Sequence, residues 1–476
     1  MPEQYVASDK RTGLEVAVTG EFPAHHDDRI RIARTTQLFT RLMSTILATT
    51  SESQRRERFY AIETQLEMAD ALEKRAASIA ATFTAENGKP LRESQQEIAA
   101  SVSELRFYAG LARTNFGRIL ETEPGQISAM VREAMGVAGI IVPWNAPIIL
   151  LVRSLAPALA AGCTAAIKCA PQTAMTSAMV LEAFAACPTL PRGAVNAFFE
   201  SGADGVKALV QSTDVDVISY TGSTHVGKLI LQLGAGSLKR MNLELGGSAP
   251  CILFDDADLA RTIPALVKAS MIMAGQQCVA ASRLIVHRSI MPEVIARLCE
   301  ALRQLKVGRG DQSDTEMGPL IDLRSRERVE RLVEAATNAK VHLRGTRPGG
   351  SLAAGAFLTP SLVEVSDPRD PLLAQEIFGP VLTVQGFDSE PQAIARANDS
   401  RFGLAASVWT RDLQRAQRVG AAIKAGTVWL NMHGRLAAEV ETGGYRESGI
   451  GRLHGVQGLE EFLQVKHVAW ELGAAS

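Results

Sequence analysis

Apolar positions along this chain change their spacing several times, and each change marks a different kind of structure. From about residue 31 to 113 they recur at helical spacing, as in Ile62, Leu66, Met68 and Leu72 and then Ala76, Ile79 and Phe83. This predicts several amphipathic helices and little sheet. The stretch Glu86-Asn87-Gly88-Lys89-Pro90 breaks them with a glycine suited to a C-cap and then a proline. Residues 1–30 are irregular apart from one short strand-like run, Leu14-Glu15-Val16-Ala17-Val18. Between 119 and 137 the pattern alternates around Pro124-Gly125, which predicts a hairpin. Such a ribbon outside a main sheet either pairs with another chain or is an ordinary surface hairpin, and the segment alone leaves both open.

From 136 to 250, strand-like runs at 137–142, 164–168, 194–199, 215–220 and 240–245 alternate with helix-like runs at 148–161, 174–186, 205–211 and 225–233. That rhythm predicts an α/β fold with parallel strands and crossover helices, the kind of sheet that binds nucleotides. A second series follows, with strands at 249–254, 284–286, 357–365, 380–386 and 428–431 and helices at 291–305, 324–339, 391–397 and 413–422. Asp255-Asp256-Ala257-Asp258 is placed to cap one more helix. The tail, Glu460 to Trp470, is strand-like again and suited to pairing with the 119–137 ribbon.

Composition narrows the function classes. The 476 residues are 46% hydrophobic and 21% charged with a formal charge of −1, so no basic field for nucleic acid or an anionic membrane is implied. Six cysteines (Cys163, Cys169, Cys187, Cys251, Cys278 and Cys299) form no CxxC pair and no zinc-like spacing with histidine. So few thiols in so long a chain suit a reducing compartment. The N-terminus lacks a secretory pattern, and the most apolar stretch, Val137 to Val152, is interrupted by Pro143, Asn145 and Pro147. The expectation is a cytoplasmic protein that binds neither membrane nor nucleic acid and has no metal site.

Four separated stretches carry candidate chemistry. Met273-Ala274-Gly275-Gln276-Gln277-Cys278-Val279-Ala280 brings a thiol behind small and polar residues; free cysteine is otherwise most often core filling. Pro143-Trp144-Asn145 sets an amide in an apolar run, where it must be hydrogen-bonded or face a ligand. In Glu244-Leu245-Gly246-Gly247 two glycines leave room beside a carboxylate, which alone also fits a capping role. Glu376-Ile377-Phe378-Gly379-Pro380 supplies a second carboxylate. The run Ile218 to Gly227 reads strand, glycine turn at Gly222, helix, a weak phosphate-binding pattern without its middle glycine. Lys168 adds a cation at a strand end, where a solvated charge is equally ordinary.

Together these motifs, in this order and over nearly the whole chain, resemble the aldehyde dehydrogenase superfamily. The resemblance implies a Rossmann-like NAD(P)-binding domain from 1–118 and 136–246, an α/β catalytic domain from 247–447, and a β oligomerisation element from 119–135 and 460–476. It implies that Cys278 attacks the aldehyde carbon, Asn145 and the Cys278 backbone N–H hold the oxyanion, and Glu244 activates the water that hydrolyses the thioester. Glu244 argues for this hydrolytic branch over the branch that transfers the acyl group to a thiol. Cofactor contacts fall to Lys168, Gly222, Ser223, Trp144, Leu245, Glu376 and Phe378, and the substrate pocket to Ala146, Leu150, Arg153, Gln277, Val279 and Leu436. The partners expected are a small aldehyde and copies of the same chain, as a homodimer or homotetramer.

The chain departs from the family's pattern in informative places. Pro171 stands where a glutamate often binds the ribose hydroxyls, so NAD with NADP tolerated is the expectation. Leu453 replaces a glutamate of the Gly-Arg-Glu pattern, which implies a different proton exit. The family's usual first strand is not evident. Ala146 and Arg153 replace aromatics, and the run 143–153 is similar to the salicylaldehyde, vanillin and benzaldehyde branch. An aryl aldehyde is therefore expected ahead of betaine aldehyde or a semialdehyde, with Arg153 meeting a phenolic or acidic substituent or forming a structural ion pair. Bacterial proteins labelled betaine-aldehyde dehydrogenase are also similar, but a quaternary ammonium wants an aromatic cage; Leu436 and Thr442 do not supply one. Intact Cys278, Glu244, Asn145 and Glu376 argue against a binding protein that keeps the fold without catalysis.

Overall fold

A computed structural model describes residues 6–8, 15–19, 57–336 and 339–472, organised on three sheets. The first orders its strands, edge to edge, as Val6–Ser8, Glu15–Thr19, Val195–Glu200, Thr164–Cys169, Val137–Ile141, Val217–Thr221, Arg240–Glu244 and Gly449–Ile450. Its six inner strands run parallel, and the two edge strands are antiparallel to their neighbours. The strand order reverses between Val137–Ile141 and Val217–Thr221, which opens a crevice at the strand C-termini. The expected N-terminal run at 14–18 is thus the strand Glu15–Thr19, which joins this sheet together with Val6–Ser8. The helical pattern expected over 31–56 lies outside the described residues.

Helices Glu57–Lys74, Ala76–Asn87 and Leu91–Leu111 account for the helical N-terminal region. Gly88 ends the second in the left-handed conformation (φ 85°), as its position before Pro90 predicts. Glu57–Lys74 and Leu91–Leu111 pack on Pro147–Ala161, which buries every residue but Ile149. A helix apolar all round belongs in the centre of a layer, and Arg153 is its one charged side chain.

The second sheet is ordered Lys340–Leu343, Ser361–Glu364, Val381–Phe387, Ala281–His287, Ala249–Leu253, Ala405–Trp409 and Thr427–Leu430. Ala405–Trp409 escapes sequence reading because a strand buried at all five positions shows no alternation, and two alanines carry little strand preference. The strand expected at 357–365 shortens to Ser361–Glu364, after Pro360, which has no N–H to donate to a ladder. The helix expected to reach 339 stops at Ala335, and Lys340–Leu343 becomes an antiparallel edge. The chain crosses from the first sheet to the second at residues 245–248.

The hairpin Arg118–Glu123 and Gln126–Ala134 forms the third sheet with Leu463–Glu471, paired from Leu463 with Ala134 to Glu471 with Gln126. It leaves Ile119, Val465 and Trp470 exposed at 72%, 64% and 44%. Among the described residues, no helix is long and apolar enough to cross a membrane.

Candidate active site

The helix Leu259–Met271, capped by Asp258, delivers the chain into a short turn where Met273 (φ 50°), Ala274 (φ 55°) and Gly275 (φ 74°) are all left-handed. Two of the three carry a Cβ, so the turn persists only because distant groups hold it. The Met273 N–H donates to Glu93 Oε2 at 3.1 Å, and Gln276 ties the turn from both ends: Nε2 donates to Met273 O (2.9 Å) and Oε1 accepts from Ile321 N (3.0 Å). A Cβ on Gly275 would lie 2.2 Å from Gly379 O. The turn presents Cys278 half-buried, and Val279 O accepts from His433 Nε2 at 2.7 Å. The Val279 side chain packs with Ala249, Leu404, Ala405 and Trp429, and Cys278 lies against the same cluster.

Asn145 meets this turn from the first sheet. It sits in the loop after Val137–Ile141, just before Pro147 opens the buried helix. Its Nδ2 donates to Gln276 O at 3.0 Å, two residues before Cys278. An amide has two N–H donors, so one fixes the side chain and the other, with no acceptor among the described residues, can meet a ligand. Its carbonyl accepts from Lys89 Nζ (2.8 Å), which is paired with Glu97 (2.8 Å) in full burial. Glu97 in turn accepts from Ile148 N (2.9 Å) at the helix N-terminus. Lys89, Glu93, Glu97, Gln276 and His433 were not foreseen: each acts through partners far away in sequence.

The two carboxylates converge on the same place. Gly247 N donates to Glu376 Oε1 at 3.0 Å, while a Cβ on Gly246 would lie 2.4 Å from Glu376 Oε2 and one on Gly247 2.4 Å from Cys278 O. The glycine pair is therefore what lets Glu376 and the cysteine segment close on the end of Arg240–Glu244. Phe378, left-handed at φ 51°, meets Trp144 edge-on with centroids 5.7 Å apart. Glu244 is buried, and its Oε1 has no hydrogen-bond partner among the described residues.

Burial dominates the electrostatics. It pushes the Glu244 and Glu376 carboxyls up to about 7, with Arg153 and Arg452 opposing the first and Arg328 and Arg401 the second. It pushes the Cys278 thiol up to about 12, against the Arg153 charge. A carboxylate near neutrality can accept a proton from a thiol or a water in the same cleft.

On the crevice side, Ser223 caps the helix Thr224–Gly234 by accepting from Val226 N (3.4 Å) and lies exposed beside Gly222. The Leu245 side chain packs under that first turn, where a Cβ on Gly227 would lie 2.5 Å from it. Burial depresses the Lys168 ammonium against the opposing Glu200 charge, and among the described residues its Nζ forms no hydrogen bond. An ammonium without a partner, a glycine turn and a capped N-terminus fit a dinucleotide in chemistry and in space. Ala146 and Leu150 are buried, Gln277 is half-buried and Leu436 is 44% exposed. Arg153 is buried and forms no ion pair among the described residues; its Nη2 donates to Thr221 Oγ1 at 3.0 Å. Leu453, fully buried, offers no titratable group.

Comparison with known proteins agrees with this geometry. A family model described as "Aldehyde dehydrogenase family" matches residues 47–468. The chain is 37% identical over 407 residues to a betaine aldehyde dehydrogenase of Bacillus subtilis, covering 85% of this chain and 83% of that protein. It is 36% identical over 414 residues to an aldehyde dehydrogenase of Emericella nidulans, covering 86% and 82%. A solved betaine aldehyde dehydrogenase from Staphylococcus aureus, in complex with NAD+, superposes with a TM-score of 0.91 at 32% identity, covering 94% of this chain and 90% of that one. The chain belongs to the aldehyde dehydrogenase family.

Proposed function

We propose that this protein oxidises an aryl aldehyde to its carboxylate, with Cys278 as nucleophile and NAD as hydride acceptor. The observation that carries the reading is the convergence of Asn145 on Gln276, Cys278 on Gly247 and Gly247 on Glu376, with buried Glu244 at the same strand end. Glu244 takes the thiol proton and releases it to solvent as the Cys278 sulfur adds to the aldehyde carbon, giving a thiohemiacetal alkoxide whose oxygen is held by the second Asn145 N–H and the Cys278 backbone N–H. Bound NAD supplies the acceptor for the hydride, leaving a thioester. Glu244 then takes a proton from water as that water adds to the thioester carbonyl, and the C–S bond breaks with its electron pair returning to Cys278. Lys168, Gly222, Ser223 and Leu245 would hold the adenosine and phosphate end, and Trp144, Glu376 and Phe378 the nicotinamide end. Pro171 leaves space for a 2′-phosphate, so NAD is used with NADP tolerated.

Support for an aryl substrate comes from Ala146 and Leu436, which leave room for a flat ring, and from the Arg153 charge, which disfavours a cation. Betaine aldehyde is the second reading, favoured by the names of similar proteins. The exposed apolar ribbon of Ile119, Val465 and Trp470 supports a homodimer or homotetramer. The deciding experiment mixes the protein with NAD or NADP and a panel of aldehydes and follows absorbance of the reduced cofactor. A higher kcat/KM for benzaldehyde than for betaine aldehyde supports the aryl reading and the reverse order replaces it; no turnover of any aldehyde removes the function.

A further inference from the structure

A buried charge in an apolar helix needs an explanation. Arg153 is 5% exposed and is the one charged residue of Pro147–Ala161. Its single side-chain bond goes to Thr221 Oγ1, its Nε–H has no acceptor, and no carboxylate pairs with it among the described residues. An unpaired buried guanidinium is costly. Thr221 is register-paired with Glu244 in neighbouring parallel strands, so the two side chains leave the same face of the sheet. Glu244 Oε1 is the complementary orphan, a buried acceptor without a donor among the described residues. The neighbouring Ser154 is bonded to Ser219 (2.9 Å) on the same strand as Thr221, which pins the helix to that strand.

We propose that Arg153 is a positioning residue for hydrolysis, its guanidinium seated on Thr221 so that it faces Glu244 and keeps that carboxylate charged and aimed at the acyl group on Cys278. This reassigns the side chain from substrate recognition to the base, and it rests on the function proposed above. The groups facing Glu244 are Arg153 from the buried helix, Cys278 from the left-handed turn, and Arg452 and Glu461 from the C-terminal segment. Arg153 acts on both Glu244 and Cys278, opposing in each the rise that burial causes. Arg452 is partly occupied, with its guanidinium bonded to Gly444 O and Gly451 O.

The test compares the full-length native protein with Arg153→Met and Arg153→Lys, using NAD and unsubstituted benzaldehyde across pH, with hydrolysis followed separately by acylating the thiol with an activated aryl ester. Arg153→Met is expected to lower kcat at pH 7 about tenfold, leave KM within about twofold, and move the acid limb of hydrolysis about one unit toward alkaline pH. Arg153→Lys, which keeps the charge, should restore most of the limb. Thr221→Val removes the seat at constant volume and should move the limb in the same direction by a smaller amount, which keeps the idea testable if Arg153→Met does not fold. An unmoved limb overturns the proposal, as does a defect confined to KM for hydroxy- or carboxy-substituted benzaldehydes, which would make Arg153 a substrate ligand. A native protein that turns over no aldehyde refutes the underlying function instead, a different result from an active enzyme with an unmoved limb.

Discussion

Two turns serve the same cleft and are built in opposite ways. The turn at Gly222-Ser223 is local: Ser223 caps its own helix three residues on, at Val226. The turn at Met273-Ala274-Gly275 is non-local: Glu93 holds the Met273 N–H, Gly275 closes against the Gly379 backbone, and the next residue, Gln276, is bonded to Asn145 and Ile321. The first needs a backbone open to a ligand and little else. The second must hold a sulfur at fixed distance from an amide and two carboxylates, and it does so through groups 45 to 180 residues away in sequence.

Substitutions can break this contrast. Gly275→Ala should be the most damaging, because the new methyl meets Gly379 O in a left-handed backbone; we expect a loss of about 4 kcal/mol from strain plus overpacking, read by chemical denaturation. Glu244→Gln should leave acyl-enzyme unhydrolysed and also change stability with pH. Burial raises the Glu244 carboxyl from the ordinary 4.5 to about 7, so its contribution is fully present below pH 4.5 and is lost as pH rises to 7. The glutamine variant has no such loss, and its advantage should open between pH 4.5 and 7 to on the order of 3 kcal/mol; a gap constant with pH would contradict this.

Milder changes sharpen the contrast. Glu93→Ala strands the Met273 N–H and should cost about 2 kcal/mol, with faster alkylation of Cys278 as its turn loosens. Glu93→Gln, which still offers an acceptor, should recover most of that. Ser223→Ala removes only a local cap, costing about 1 kcal/mol and raising KM for NAD without changing kcat. An equal effect of Glu93→Ala and Ser223→Ala on Cys278 reactivity would erase the distinction between the turns.

What could be read from the chain follows the same division. The parallel strands of the first sheet, the cap at Asp258 and the C-cap at Gly88 announce themselves over a few residues, and so does each motif that bears the candidate chemistry. Ala405–Trp409 could not be read because total burial removes the alternation that identifies a strand. Lys89, Glu93 and Gln276 could not be read because their meaning lies in partners at Asn145, Met273 and Ile321. Arg153 was visible as an oddity in an apolar run, but only the register of Thr221 with Glu244 gives it a direction.

The most direct test of Cys278 as the atom that carries the acyl group is intact-mass and peptide mapping of Glu244→Gln after mixing with NAD and a substrate aldehyde. A single acyl adduct on Cys278, formed with one equivalent of NADH and absent in Cys278→Ala although that variant still binds NAD, is the predicted result. An adduct on another cysteine, or NADH produced at the native rate by Cys278→Ala, would contradict it.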